Sequence, residues 1–133
     1  MNSRFSTKLN ANISNELRSG KWTRVVLLNA PLVYRSDLLA KVVIVPKDFS
    51  SDGASVPRAL WSIYPPFGKY LEAAVVHDYF CVLGEEGESP IDYKKAAKVF
   101  REAMKVCGVN WWRRNKMYWA VVFGGPKFKA KNK

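Results

Sequence analysis

The sequence predicts an α+β domain, with a small antiparallel sheet from the N-terminal half packed on about three helices from the C-terminal half. Two observations carry this reading. Short segments rich in valine, leucine and aromatic residues fill the stretch from Trp22 to Val45, whereas beyond Pro57 apolar residues recur at helical spacing. Strands come first and helices follow without alternation, which argues against a parallel α/β sheet.

Taken in order, the first twenty residues are polar and carry Asn10, Asn12, Asn15 and Gly20, so residues 1–20 read as an irregular lead-in. Trp22–Leu28, Leu32–Tyr34 and Lys41–Val45 read as strands of an antiparallel meander, broken at Asn29-Ala30-Pro31 and Arg35-Ser36-Asp37. Pro46 closes the third strand, and Lys47 to Pro57 is loop, with turn chemistry at Ser50, Ser51, Asp52 and Gly53. Arg58–Ile63 reads as a short helical turn, stopped by Tyr64-Pro65-Pro66-Phe67-Gly68. Lys69–Leu83 is a helix buried nearly all round, and an acidic loop from Gly84 to Pro90 follows it. Asp92–Val106, capped by Asp92, places Ala96, Val99, Phe100, Ala103 and Met104 on one face, and Gly108 stops it. Trp111–Phe123 is the last helix, ended by Gly124-Gly125-Pro126. The division expected is a lead-in over 1–20, one domain over 21–125 and a basic tail over 126–133. With 133 residues, 48% of them hydrophobic, the chain suffices for one core.

The formal charge is +11, from 22 Lys plus Arg against 11 Asp plus Glu, and the excess gathers in Lys94 to Lys105, Arg113 to Lys116 and Lys127 to Lys133. Such a field favours an acidic partner: nucleic acid, an anionic cell-wall polymer, lipid phosphate or an acidic protein surface. The run Trp111-Trp112-Arg113-Arg114-Asn115-Lys116 interleaves rings that stack with cations that neutralise, as a single-stranded nucleic acid or a glycan would require. Arg113, Arg114, Lys116, Lys127, Lys129 and Lys131 are the anion-binding candidates, the lysines of the tail forming a flexible electrostatic arm. The plain alternative is a solvated face that keeps the protein in solution.

No apolar stretch follows the charged start, and no run approaches a membrane span, so a protein of the cytoplasm is expected. Cys81 and Cys107 sit among apolar neighbours without a pairing motif and read as buried free thiols.

The candidate chemistry lies in Asp52, His77 and Asp78. The pair interrupts an apolar run, Ala73-Ala74-Val75-Val76-His77-Asp78-Tyr79-Phe80-Cys81, and a buried polar group without a partner costs about 1–3 kcal/mol. His77 is the sole histidine, which excludes a multi-histidine metal site. Adjacent helical residues diverge by about 100°, so His77 and Asp78 do different jobs. Two readings stand. In one, Asp52, His77 and Asp78 form a metal-assisted hydrolase site, with a divalent cation on Asp52 and His77. In the other, they form a buried polar clasp that fastens the Asp52 loop to the helix. The lone histidine and the lack of a glycine-rich phosphate loop weigh toward the clasp.

The string Asp52-Gly53-Ala54-Ser55-Val56-Pro57, then Trp61, Pro65-Pro66, His77-Asp78-Tyr79, Ala103-Met104, Gly108-Val109, Trp112-Arg113 and Met117-Tyr118 resembles the DUF1353 family of phage and prophage proteins. The likeness runs from about Pro31 to Phe123. It implies an accessory protein, an interaction or assembly component in the host cytoplasm or carried in the virion, whose acidic partner would include a phage structural protein. Members of that family carry an aspartate three residues before an aromatic on the helix after the His-Asp pair. Here that position is Ala97, so a polar site of that kind would lack one member.

Overall fold

A computed structural model of the chain describes residues 3–18, 20–51 and 71–131. The expected strands are present, as β3 (Lys21–Leu28), β4 (Leu32–Ser36) and β5 (Lys41–Val45), but they do not form one meander. β4 pairs with β5 and with the short β1 (Arg4–Phe5) in a sheet ordered β1-β4-β5. β3 pairs with β2 (Ala11–Arg18) and β6 (Ser50–Ser51) in a second sheet ordered β2-β3-β6. Both are antiparallel. The chain changes sheet at Asn29-Ala30-Pro31, where the Asn29 N–H donates to the Asn10 carbonyl and Pro31 has no N–H to give.

The expectation of an irregular lead-in is also corrected. Ala11–Arg18 pairs residue for residue with β3, from Ala11 opposite Leu28 to Arg18 opposite Lys21. Backbone hydrogen bonding to a neighbouring strand, and not an apolar face, holds β2, because its side chains from Asn12 to Leu17 are exposed.

In β4 and β5 the strand period selects the core. Leu32, Tyr34 and Ser36 point inward, opposite Val45, Val43 and Lys41, while Val42 and Ile44 face out. Phe5 packs on Tyr34 with ring centroids 4.6 Å apart, so β1 covers the flank of the sheet.

The described helices are α1 (Leu71–Glu85), α2 (Tyr93–Val106) and α3 (Trp111–Gly124). Asp92 caps α2 as the sequence predicts, its carboxylate accepting from the Lys95 N–H at 2.8 Å. Gly108, at φ +84°, ends the helix by turning the chain left-handed so that Val109 N–H reaches the Met104 carbonyl. Asn110 then caps α3 through the Arg113 N–H at 2.9 Å. The core joins Tyr34, Val45, Val75, Phe80, Phe100 and Met117 from sheet and helices alike. The short helix expected over Arg58–Ile63 lies outside the described residues.

The tail is not a free arm. Phe128 is buried against Gly84, where a Cβ would overlap its ring, and its carbonyl accepts from Tyr93 N–H at 3.0 Å. Lys131 N–H donates to the Ser89 carbonyl at 2.7 Å. One aromatic thus anchors a segment whose composition alone reads as disordered, since its burial offsets the ordering of a few residues.

Candidate anion-binding groove

Lys98, Arg101 and Lys105 stand three and four residues apart on α2, which puts them on one stripe of the helix. Trp111, Arg114 and Asn115 share a face of α3 by the same spacing. Where the two stripes meet, with Leu38 of the β4–β5 turn at the rim, they line a groove of about 460 Å³. Four cations therefore surround one concavity whose sole carboxylate is Glu102.

That carboxylate is occupied. Glu102 Oε1 accepts from the Tyr34 hydroxyl and the Ser36 hydroxyl, each at 2.7 Å, and Oε2 accepts from the Leu38 N–H at 2.8 Å. Burial and this bond push the Tyr34 phenol above its ordinary range, so it stays a donor. Glu102 thus ties the β4–β5 turn to α2 and leaves the cations without a competing acceptor of its strength.

The guanidiniums are held ready. Arg101 lies 4.0 Å from the centre of the Tyr118 ring and donates from Nη1 to Asn115 Oδ1 at 3.1 Å. Asn115 in turn donates to the Trp111 carbonyl at 2.8 Å, and Arg114 Nη1 to the Val109 carbonyl at 3.2 Å. Groups fixed before a ligand arrives lose less rotamer freedom on binding. Trp111, 55% exposed, offers a ring beside them.

Of the anion-binding candidates read from the sequence, only Arg114 lines this groove. Arg113, Lys116 and Lys129 are exposed elsewhere. Lys127 donates to the Val122 and Phe123 carbonyls at the end of α3, and Lys131 pairs with Glu88 at 2.6 Å. In the sequence Lys98, Arg101 and Lys105 are part of a charge run. Their three-and-four spacing was the signal that places them together.

The polar interior is built differently. His77, 3% exposed, stacks on Phe100 with centroids 4.8 Å apart, and Cys81 Sγ lies 3.9 Å from each ring nitrogen. Burial pushes the imidazole down to about 4 and the Cys81 thiol up, so both are neutral near pH 7. Cys107 is half-buried rather than buried, and desolvation raises its thiol to about 11. Asp78 is buried next to His77, while Asp52 lies outside the described residues, as do Ser55 and Arg58. Among the described residues no three His, Cys, Asp or Glu side chains converge as a metal site would require. Ala97 is buried one turn before Phe100, at the place of the aspartate expected from the family likeness. A second cavity of about 590 Å³, between β5 and α1, is lined by Val43, Phe80, Leu83 and Ile91 and does not include His77.

A family model described as a protein of unknown function, DUF1353, matches residues 26–121, most of the chain. The chain belongs to this family. A 91-residue stretch of the DUF1353 chain, 67% of its length, is 41% identical to the uncharacterized protein y4jT of Sinorhizobium fredii (strain NBRC 101917 / NGR234) and covers 26% of that protein. The chain thus spans about a quarter of this relative. No solved structure matches it. No described helix is long and apolar enough to cross a membrane.

Proposed function

We propose that this DUF1353 chain is a phage or prophage accessory protein, an interaction or assembly component that grips an acidic partner in the groove between α2 and α3. The observation that carries the reading is the convergence of Lys98, Arg101, Lys105 and Arg114 around a concavity whose carboxylate is already engaged. A phosphate- or carboxylate-bearing polymer would meet oriented guanidiniums and a stacking ring at once, the combination that single-stranded nucleic acid and acidic cell-wall polymers use. An acidic face of a phage structural protein presents the same charge. Host cytoplasm and the assembled particle are the places where such a partner is met. The hydrolase reading on Asp52, His77 and Asp78, with a divalent metal, finds no supporting observation among the described residues, where His77 is 3% exposed and no three potential ligands converge.

Binding of a fluorescent single-stranded oligonucleotide and of heparin, titrated against salt, tests the groove. Arg101→Ala combined with Lys105→Ala is expected to lower affinity by roughly tenfold and to reduce the salt slope by about two contacts. Unchanged affinity in that double variant would refute the groove as the binding element.

A further inference from the structure

α3 has a second face that the groove does not use. Met117, Tyr118, Val121 and Val122 turn into the core, and on the opposite side Trp112, Trp119 and Phe123 stand 70%, 51% and 72% exposed. Their spacing of seven and four residues keeps them in line along a ridge about 16 Å long, with Lys116 between them. Trp119 and Phe123 stack with centroids 5.5 Å apart, so one end of the ridge is a joined apolar surface. Trp111 meets Trp112 edge-on at 4.8 Å and extends it toward the groove.

Charge identifies the occupant. Residues 103–133 contain eight Lys or Arg and no Asp or Glu. Arg113 and Lys116 are exposed on α3, and Lys129 is exposed on the segment that follows. Tryptophan and phenylalanine flanked by cations, on a helix with no acidic residue, match the boundary between headgroups and acyl chains of an anionic bilayer. The rings enter the boundary and the cations stay at the phosphates, each contributing about 1 kcal/mol near a charged surface. We infer that α3 seats this protein on an anionic phospholipid surface, with its axis parallel to the membrane and the Trp112–Trp119–Phe123 ridge inserted.

The inserted side chains, Trp112, Trp119 and Phe123, do not line the proposed groove, and the test keeps the two apart. Vesicles of phosphatidylcholine alone, and of phosphatidylcholine with about 30% phosphatidylglycerol, are mixed with the protein and followed by co-sedimentation and tryptophan emission. Sedimentation and a blue shift are expected with the anionic vesicles and not with the neutral ones. Trp112→Ser with Trp119→Ser and Phe123→Ser should abolish the shift and weaken sedimentation by roughly tenfold, with the thermal melt retained because all three side chains are exposed. Arg113→Glu with Lys116→Glu should weaken sedimentation too, while Arg101→Ala with Lys105→Ala should keep the blue shift and lose oligonucleotide affinity. The inference is overturned if the wild-type protein ignores both vesicles, or if the triple serine variant binds as tightly as the wild type. A concentration-dependent dimer in gel filtration with light scattering, dispersed by the triple variant, would overturn it in favour of a second copy on the ridge.

Discussion

α1 and α3 are of similar length, yet one hides its polar groups and the other displays its apolar ones. On α1, His77, Asp78 and Cys81 are packed inside, where desolvation holds the imidazole and the thiol in their uncharged forms. On α3, Trp112, Trp119 and Phe123 face solvent beside the exposed Arg113 and Lys116. The two described members of a motif that looks chemical in the sequence are therefore packed inside, while the large apolar side chains that face solvent lie in a segment whose composition suggests mere solubility. Unusual residue type marks where folding is demanding, and exposure marks where contact is possible.

Substitutions in the two helices should separate accordingly. The largest effect is expected inside: His77→Ala removes the ring stacked on Phe100 and leaves a cavity, lowering the free energy of unfolding in urea by about 3–4 kcal/mol without altering oligonucleotide binding. Lost affinity at unchanged stability would instead restore a functional part for the imidazole.

Acidification probes the same residue. The folded pKa of His77, about 4, lies below the ordinary value of 6.5, so the unfolded chain takes up a proton that the native protein refuses. The stability linked to His77 is complete above pH 6.5 and declines as pH falls from 6.5 toward 4, by about 3 kcal/mol in all. Urea midpoints measured across that window should decline less in His77→Phe than in the wild type. Parallel declines would show that the ring is reachable by protons in the native state.

Glu102→Ala comes next, with a loss of about 2–3 kcal/mol, because the Tyr34 and Ser36 hydroxyls and the Leu38 N–H lose one shared acceptor. It sharpens the comparison, since this half-buried carboxylate borders the groove: anion affinity should hold or rise as stability drops. The smallest effect concerns neither helix. Ala40 sits at φ +53° in the β4–β5 turn, and Ala40→Gly should raise the unfolding free energy by up to about 1 kcal/mol with binding unchanged.

Helices were the most legible part of the sequence, because their ends are written in single residues: Asp92 accepting from Lys95 N–H, and Gly108 turning left-handed. β3, β4 and β5 were legible too, but their partners were not. Adjacency suggested a meander, whereas β3 pairs with β2 and β6 and β4 with β1 and β5. β2 is not legible in the sequence because Ser14, Asn15 and Glu16 break any apolar alternation, and pairing across a hairpin leaves no mark on composition. Burial of His77 and Asp78 followed from their apolar neighbours. The groove did not, since Lys98, Arg101 and Lys105 become one site only once α3 lies against α2 and Glu102 is drawn away toward β4.

Gly84, in the final turn of α1, illustrates how far local preference yields to assembly. Alanine is the better helix former by about 1 kcal/mol, and an ordinary stabilisation screen would install it there. At this position a methyl group would evict the Phe128 ring and with it the strand of backbone stitched to Tyr93 and Ser89. The gap in the helix is a socket, and evolution or engineering can refill it only by redesigning the plug.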